Sequence, residues 1–194
     1  MGRRRQDHFA RQAHEDHFPA RSVYKLEEID RRLRLVRPGQ SVLDLGAAPG
    51  SWSLFLARAV GPQGRVLAVD LQELRVALPP NARFLLGSSL ELGDELAAAG
   101  PFDLVVSDMA PSTMGDRATD QYRSFELFSG AVELAARVGR DGSSFVGKIF
   151  QGPSFEEARA RLRELYIDVR IIRPKATRSE SYETFLCGQG RRVP

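Results

Sequence analysis

Residues 41–53 read Ser41-Val42-Leu43-Asp44-Leu45-Gly46-Ala47-Ala48-Pro49-Gly50-Ser51-Trp52-Ser53. The apolar run at 42–45 predicts a buried strand, and the helical spacing of apolar residues from Trp52 onward predicts a helix. Gly46 and Gly50 lie in the turn between them, where the absence of a Cβ lets the backbone approach a ligand closely. A strand, a tight turn and a helix N-terminus form the arrangement that binds ligands at the carboxyl end of a parallel strand.

An acidic residue ends the next predicted strand, Arg65–Asp70. The Asp70 carboxylate is placed there to accept hydrogen bonds from the two hydroxyls of a ribose. The turn fits the G-x-G-x-x-G fingerprint of dinucleotide enzymes poorly, because its two glycines are four residues apart. A strand that ends D-x-G-x-x-x-G before such an acid is typical of proteins that bind S-adenosylmethionine (SAM). The alternative is an ordinary strand–helix–strand crossover with a glycine turn.

Composition places the chain among ordinary globular proteins. Its 194 residues suit one domain with a sizeable core, and 42% of them are hydrophobic. No apolar run reaches the length of a membrane span and no secretory signal is evident, so we expect no membrane association. The single cysteine, Cys187, excludes an internal disulfide and favours the cytoplasm. The net charge of +3 and the clustered arginines suit a polyanionic partner.

Lysine is rare in this chain. Of 28 basic residues three are lysines, namely Lys25, Lys148 and Lys175. Arginine stays protonated in proteins, whereas lysine can lose its proton when its surroundings favour the neutral amine. The positions of the lysines are therefore informative about acid–base chemistry.

The rest of the chain alternates predicted strands with predicted helices. We expect helices at 21–36, 51–60, 90–98, 120–138 and 154–165, and strands at 41–45, 65–70, 81–86, 102–108, 144–150, 169–172 and 182–187. Such alternation predicts a mostly parallel sheet with helices on both faces. The last two strands are joined by a loop too short for a parallel crossover, so the last strand is expected to be antiparallel. The prediction is an α/β, Rossmann-like fold with a seven-stranded sheet, in one domain over residues 21–194.

Residues 1–20 form a basic N-terminal arm, expected to be flexible or weakly helical. The segment carries Arg3, Arg4, Arg5, Arg11 and all three histidines. No second cluster completes a ligand set for the histidines, so no metal site is predicted. Contact between this arm and phosphate groups is the favoured interpretation, with an ordinary solvated surface as the alternative.

Charged residues converge at one edge of the predicted sheet. Four charged residues, Asp44, Asp70, Asp108 and Lys148, lie at or near the carboxyl ends of parallel strands, where ligands bind in open α/β sheets. An antiparallel last strand begins at the same edge, which brings Glu183 beside them. Lys25, on the polar side of the predicted helix at 21–36, completes the candidate set.

These residues stand in local motifs that carry a family resemblance. Lys25 occurs in Ser22-Val23-Tyr24-Lys25, Asp108 in Ser107-Asp108-Met109-Ala110-Pro111, Lys148 in Gly147-Lys148-Ile149-Phe150, and Glu183 in Ser181-Tyr182-Glu183. In order and spacing they resemble the K-D-K-E tetrad of the FtsJ/RrmJ (RlmE-like) family of RNA ribose 2′-O-methyltransferases, over residues 21–188. The resemblance implies transfer of the SAM methyl group to the 2′-hydroxyl of a uridine in large-subunit ribosomal RNA.

The tetrad suits that reaction, because a ribose hydroxyl needs a base before it can attack a methyl group. Lys148, as a neutral amine, is the candidate base. Asp108 is expected to orient it, while Glu183 and Lys25 position the hydroxyl and ammonium groups. A buried salt-bridge network without catalytic function is the alternative.

The resemblance also implies a cofactor site. It assigns Gly46, Pro49, Gly50 and Trp52 to the methionine part, Asp70 to the ribose, Ser88 to the adenine and Asp108 to the region of the methyl group. For Trp52 the alternative is an ordinary core aromatic. Two positions depart from the family pattern. Ser51 replaces a glycine before the tryptophan, and Ser88 replaces the acidic residue that contacts the adenine amino group.

Basic residues at the same edge are candidates for RNA binding. They are Arg3, Arg4, Arg5, Arg11 and Arg21 near the N-terminus, and Arg173, Lys175 and Arg178 in the loop before Glu183. The expected partner is ribosomal RNA within the large subunit, with a splayed target nucleotide, and the chain is expected to be monomeric. The alternatives are methylation of a transfer RNA or an mRNA cap, and a non-catalytic protein that binds SAM or RNA. A nucleotide-dependent oxidoreductase is disfavoured because it has no use for the tetrad.

Overall fold

The computed structural model describes residues 2–89, 91–178 and 180–192, with side chains from residue 8 onward. Its helices are α1 (Gly2–Glu15), α2 (Val23–Leu33), α3 (Ser51–Val60), α4 (Gly93–Ala99), α5 (Arg117–Val138) and α6 (Phe155–Leu165). Its strands are β1 (Ser41–Leu45), β2 (Arg65–Asp70), β3 (Ala82–Leu86), β4 (Phe102–Ser107), β5 (Gly139–Phe150), β6 (Tyr166–Ile172) and β7 (Glu183–Arg191).

The strands form one seven-stranded sheet in the order β3-β2-β1-β4-β5-β7-β6. The pairs among β1 to β5 are parallel, and β7 runs antiparallel to both β5 and β6. This confirms the predicted α/β fold and the antiparallel last strand. Because β7 enters the sheet between β5 and β6, its first residue lies at the carboxyl edge of the parallel strands.

Hydrophobic side chains cover both faces of the sheet. One face packs against α4, α5 and α6 through a cluster that includes Phe128, Phe145 and Leu162. The other packs against α2 and α3 through a cluster that includes Leu26 and Leu56. β1, an inner strand of the sheet, is buried at all five positions, as expected for a strand covered on both sides.

The observed bounds differ from the predicted ones at polar chain segments. α2 ends at Leu33 rather than at residue 36, because Arg34 adopts a left-handed conformation and the Asp30 carboxylate accepts a hydrogen bond from the Val36 N–H at 2.8 Å. β5 begins five residues earlier than predicted, at Gly139. Its polar first half shows no strand-like hydrophobic pattern, yet Arg140 forms an ion pair with Asp103 of β4 at 3.1 Å.

The basic N-terminal segment forms a helix that packs on the rest of the fold. Phe9 and Ala13 of α1 contact Tyr24 in a small third cluster, which also contains Ala176 from the loop between β6 and β7. The Tyr24 hydroxyl donates a hydrogen bond of 2.6 Å to Asp16 just beyond α1. Residues 2–15 of this segment are helical, which is one of the two conformations expected from the sequence. The division into an arm at 1–20 and a domain at 21–194 stays a prediction.

α5 is the longest helix, with 22 residues. Charged residues interrupt its apolar positions. Over residues 2–89, 91–178 and 180–192, no helix is long and apolar enough to cross a membrane. In the same ranges, no group of three or more His, Cys, Asp or Glu side chains is arranged to hold a metal ion.

Candidate active site

The turn between β1 and α3 forms the floor of the site. Gly46 has φ +75°, and a Cβ on it would lie 2.8 Å from both the backbone nitrogen and the Cγ of Met109. Gly50 caps the N-terminus of α3 with φ +110°, and a Cβ there would lie 2.5 Å from Val76. Both positions therefore require glycine, because the backbone is left-handed and the neighbouring chain is close.

A cavity of about 930 Å³ opens above this turn, at the carboxyl ends of β1 to β4. Its volume falls in the usual range of small-molecule and cofactor sites. The lining includes, from the predicted cofactor site, Gly46, Pro49, Asp70, Ser88 and Asp108. Gly50 belongs to the turn but is not among the lining residues.

Asp70 connects the end of β2 to the turn. Its Oδ2 accepts a hydrogen bond from the Ala48 N–H, and its Oδ1 accepts one from the Gln72 N–H, both at 2.8 Å. The carboxylate therefore faces the cavity in a fixed orientation. Each oxygen keeps a lone pair with which to accept a hydrogen bond from a ligand hydroxyl.

The sequence places Asp44 at the ligand-binding edge of the sheet without a role, and the structure buries this carboxyl group beneath the cavity. It is fully buried in β1, where its Oδ2 accepts a hydrogen bond of 2.6 Å from the Ser53 hydroxyl. Burial, together with the nearby charges of Asp108 and Asp70, raises the pKa of Asp44 to about 7, although the Ser53 hydrogen bond acts in the opposite direction. A charged residue inside the apolar run of β1 was the sequence signal for it.

Lys148 and Asp108 form an ion pair at the end of the cavity near β5. The Lys148 side chain is 7% exposed, and its Nζ lies 3.0 Å from Asp108 Oδ1. The same Nζ donates a hydrogen bond of 2.5 Å to the Asp108 carbonyl oxygen. The ammonium group is therefore held by two oxygens of one residue, and that residue also lines the cavity.

Lys25 and Glu183 form a second ion pair, with Nζ to Oε1 at 2.5 Å. Lys148 lies opposite Phe185 in the β5–β7 ladder, so Glu183, two residues before Phe185, is its diagonal neighbour on the same face. Diagonal neighbours in a sheet lie about 7–8 Å apart, within reach of long side chains. The Lys25 Nζ lies 6.0 Å from the centre of the Phe185 ring. The structure thus brings the four tetrad residues together as two adjacent ion pairs.

Trp52 lies in the core and holds α2 against this site. Its side chain is buried, its ring packs against Phe185 at 5.9 Å between centroids, and its indole N–H donates a hydrogen bond of 2.9 Å to the Ser22 carbonyl. Trp52 is not among the described residues that line the cavity, which favours the alternative of a core aromatic, and its assignment to the cofactor stays a prediction. Its contact with Ser22 fixes the start of α2, which carries Lys25.

Ser51 contributes to the same connection. Its hydroxyl donates to the Ala20 carbonyl at 3.0 Å and receives the Ala20 N–H at 2.8 Å. A glycine has no side chain with which to make these contacts. The departure at Ser51 thus ties the N-terminal segment to α3.

Two basic side chains, Arg21 and Arg178, lie near the second ion pair. Arg21 lies close enough to Arg178 and Glu183 to feel their charges, and burial together with the Arg178 charge lowers the pKa of Arg21, while Glu183 opposes this effect. Lys175 and Arg178 are exposed, as is Arg11 on α1. The side chains of Arg3, Arg4 and Arg5 lie outside the described residues.

Arg173 has a different environment from the other predicted RNA-binding residues. Its guanidinium donates to the backbone carbonyl of Ser181 at 2.6 Å and to that of Arg178 at 3.4 Å. These contacts hold the loop between β6 and β7 in shape. Arg173 therefore orders the basic loop in addition to contributing charge to it.

Two further parts of the cavity wall were not predicted from the sequence. The loop after β4 contributes Met109, Ala110, Pro111 and Ser112, and α5 contributes Arg123, Glu126, Leu127 and Gly130. The α5 residues follow the spacing i, i+3, i+4, i+7 of one helical face. That spacing is visible in the sequence, but nothing there shows that this face meets a cavity.

Known proteins resemble this chain over nearly its whole length. The profile of the FtsJ-like methyltransferase family matches residues 18–191. A relative from Sorangium cellulosum, named ribosomal RNA large subunit methyltransferase E, is 52% identical over 98% of this chain and 90% of its own. A relative of the same name from Oleidesulfovibrio alaskensis is 48% identical over 95% of this chain and 91% of its own.

Solved structures share the fold. A ribosomal RNA methyltransferase structure from Plasmodium falciparum has a TM-score of 0.78 at 21% identity, over 90% of this chain and 98% of its own. Aeropyrum pernix fibrillarin, crystallised with natively bound SAM, has a TM-score of 0.56 at 14% identity, over 79% of this chain and 68% of its own.

The sequence match and the cavity agree. The glycine turn, the acid at the end of β2 and a cavity of suitable volume fit SAM, and this methyl donor is the cofactor. The chain belongs to the FtsJ-like methyltransferase family.

Proposed function

We propose that the protein transfers a methyl group to the ribose 2′-hydroxyl of a uridine in large-subunit ribosomal RNA. The observation that carries this proposal is the pair of lysine–carboxylate contacts, Lys148–Asp108 and Lys25–Glu183, on one face of the sheet beside the cofactor cavity. A lysine held next to the methyl donor is suited to take a proton from a hydroxyl. The second pair adds charged groups that can orient the nucleotide.

Lys148 acts as the general base in this proposal. SAM, when bound, supplies a methyl group on a positively charged sulfur that leaves as a neutral thioether. Lys148, as the neutral amine, takes the proton of the 2′-hydroxyl while the oxygen forms its bond to the methyl carbon and the carbon–sulfur bond breaks. Asp108 fixes the Nζ through its carboxylate and its backbone carbonyl. Such positioning is a main source of rate enhancement in a reaction with an already activated donor.

Lys25 and Glu183 position the substrate. Both side chains are largely buried, at 12% and 14% exposure. Because Glu183 lies diagonally across the β5–β7 ladder from Lys148, its carboxylate can accept a hydrogen bond from a ribose hydroxyl placed near the Lys148 Nζ. Lys25 neutralises the carboxylate and keeps it oriented.

The surrounding surface suits an RNA backbone. Arg21 and Arg178 carry like charges close to each other, and an anion between them relieves their repulsion. Exposed Lys175 and Arg11 extend the positive charge from this point. Phosphate contacts of this kind supply affinity and orientation without reading sequence.

The names of the relatives support ribosomal RNA as the substrate class. We infer that the enzyme acts in the cytoplasm as a monomer and that its substrate is RNA within the large ribosomal subunit. A transfer RNA or an mRNA cap is the second candidate substrate, because the same two ion pairs would serve any ribose hydroxyl.

The test uses purified enzyme and SAM labelled in the methyl group. Large ribosomal subunits from cells that lack this enzyme, naked ribosomal RNA from the same source, transfer RNA and capped mRNA are incubated in parallel. We expect label in the large-subunit RNA, recovered as an alkali-stable 2′-O-methyluridine dinucleotide. Lys148→Arg is the matched variant, because it keeps the positive charge but cannot serve as a neutral base.

Three results distinguish the parts of the proposal. A loss of about 10³-fold in Lys148→Arg, with SAM affinity retained by calorimetry, supports the base. Methylation of transfer RNA or a cap instead would overturn the ribosomal substrate but not the chemistry. Full activity of Lys148→Arg would refute Lys148 as the base.

A further inference from the structure

A half-buried aromatic ring lies beside the four tetrad residues. Tyr182 directly precedes Glu183, and its backbone carbonyl accepts a hydrogen bond of 2.9 Å from the Gln151 N–H. Its ring makes a T-shaped contact with Phe150, with 4.8 Å between the ring centroids. Phe150 stands opposite Glu183 in the β5–β7 ladder and two residues after Lys148, so it lies on the same face of the sheet as both. The Tyr182 ring is therefore held next to the tetrad.

A guanidinium group lies over this ring. The Cζ of Arg117, the first residue of α5, is 5.3 Å from the centre of the Tyr182 ring. One turn later in α5, the side-chain amide of Gln121 donates a hydrogen bond to the Gln151 carbonyl, which fixes the start of the helix beside Tyr182. Arg117 is exposed, and within the described ranges no carboxylate lies within ion-pair distance of it. A cation over an aromatic ring is held weakly at an exposed site, so a ligand can displace this group.

The position of the 2′-hydroxyl determines where the target base lies. In the proposed reaction this hydroxyl is at the Lys148 Nζ. The cofactor occupies the cavity, and neither Glu183 nor Tyr182 is among the described residues that line it, so the nucleotide approaches from their side. The base is attached to the ribose carbon next to the one that carries the 2′-hydroxyl. It therefore lies beside the tetrad, within reach of the Tyr182 ring.

The other aromatic rings near the tetrad are not available to a base. Phe185 is fully buried, and Phe150 and Tyr24 are buried as well. Tyr182 is half-buried, and one side of its ring is covered by the displaceable Arg117 side chain. Bases that are splayed out of single-stranded RNA are commonly held by stacking on such an aromatic side chain.

We propose that Tyr182 is the platform on which the target base stacks, with the base in the place of the Arg117 guanidinium. The displaced guanidinium is then free to pair with a neighbouring phosphate. Stacking of this kind holds the base and turns the ribose toward Lys148 without reading the sequence. The proposal rests on ribose methylation as the proposed function and adds to it the residue that holds the base.

The test compares two RNAs that differ only in whether the target base is flat. Large-subunit RNA, in the form that the enzyme methylates, is built with a synthetic segment that carries uridine or dihydrouridine at the target position. Dihydrouridine keeps the hydrogen-bonding edge of uridine, but its saturated ring is puckered and stacks poorly. With labelled SAM, we expect the wild-type protein to prefer uridine by about 10-fold in kcat/KM. In Tyr182→Leu this preference should fall to about 2-fold through loss of activity on the uridine RNA, with SAM affinity unchanged by calorimetry.

Tyr182→Phe and Tyr122→Leu are the matched variants. Phenylalanine keeps the flat ring, so Tyr182→Phe should keep the wild-type preference. Tyr122 is 58% exposed on α5, and its removal leaves the contact between Arg117 and Tyr182 in place, so Tyr122→Leu should also keep it. Thermal unfolding checks that the variants fold.

Three results would contradict these expectations. Equal methylation of the two RNAs by the wild-type protein would overturn the proposal, whatever the variants do. An unchanged preference in Tyr182→Leu, or the same fall in Tyr122→Leu, would also overturn it. Absence of methyl transfer from the wild-type protein to the uridine RNA would instead contradict the proposed function.

Discussion

The cofactor cavity and the RNA-facing surface are built in different ways. The cavity stands on the carboxyl ends of four neighbouring strands and on a glycine turn whose backbone is fixed by close contacts. The proposed RNA surface is formed by α1, the start of α2 and the loop between β6 and β7, which pack on one another through the small third cluster. One region is part of the sheet, and the other is attached to its edge.

The two regions also differ in charge. The described lining of the cavity carries four acids, Asp70, Glu73, Asp108 and Glu126, against two arginines, Arg75 and Arg123. The RNA-facing surface carries exposed Arg11, Lys175 and Arg178. A cationic methyl donor and a polyanionic substrate require such opposite surroundings. The two ion pairs lie between the cofactor cavity and the RNA-facing surface. The comparison predicts that Lys148–Asp108 serves the cavity and that Lys25–Glu183 serves the RNA-facing surface.

The largest expected effect separates the two ion pairs. Asp108→Asn should lower turnover by about 10³-fold, because it releases the base, and should also weaken SAM binding. Glu183→Gln should lower turnover by roughly 10- to 100-fold with SAM affinity unchanged, since Glu183 is not part of the cavity lining. Single-turnover kinetics and calorimetry measure the two quantities. Equal losses of SAM affinity in both variants would show that the cofactor cavity and the RNA-facing surface do not act separately.

The second effect concerns the buried carboxyl under the cavity. The folded protein holds a proton on Asp44 up to a pH of about 7, because the pKa of Asp44 is raised from 3.8 to about 7, whereas the unfolded chain loses this proton near pH 4. The free energy of unfolding should therefore fall as the pH rises between these values, by on the order of 3 kcal/mol from pH 5 to pH 8. In Asp44→Asn this pH-dependent part of the free energy of unfolding should be absent.

Urea unfolding of both proteins at pH 5 and pH 8 provides the measurement. The wild-type protein should lose stability relative to Asp44→Asn as the pH rises, since all other titrating groups are common to both. Parallel pH dependences would contradict the raised pKa of Asp44.

The third effect tests how closely the turn is packed. Gly46→Ala forces a Cβ to within 2.8 Å of Met109, in addition to the strain of φ +75°. Gly39→Ala is the matched control, because Gly39 has φ +83° and nothing within 4 Å of the added atom. Strain alone should destabilise both variants by about 1–2 kcal/mol. SAM affinity should fall by about 10-fold or more in Gly46→Ala alone, and equal affinities would show that the turn can move.

The sequence predicted the cavity floor and the tetrad better than the cavity walls. Gly46, Asp70 and Lys148 were predictable because each supplies a property that few residue types have: freedom at positive φ, a fixed acceptor, or a neutral amine. The antiparallel β7 followed from the length of one loop. In each case the evidence was local in the chain.

Side-chain directions were not predictable from the sequence. The Trp52 ring turns into the core because its indole N–H finds the Ser22 carbonyl, which is 30 residues away in the chain. The α5 face meets the cavity only because the helix packs on the face of the sheet that carries Phe145. The early start of β5 likewise depends on pairing with β4 and not on a hydrophobic pattern. Such contacts are set by tertiary packing.

The smallest expected effect concerns the RNA-facing surface. Arg178→Ala should weaken RNA binding by about 3- to 10-fold and reduce the slope of log K against log salt by about 1, because one phosphate contact is lost. Arg83→Ala is the control, since Arg83 is exposed on β3 at the far edge of the sheet. Anisotropy titrations of large-subunit RNA at several salt concentrations measure the slope, and SAM affinity should be unaffected in both variants. If both lower the slope equally, the charge acts over the whole surface; a change confined to Arg178 would locate RNA contact at the edge of the sheet that carries Glu183.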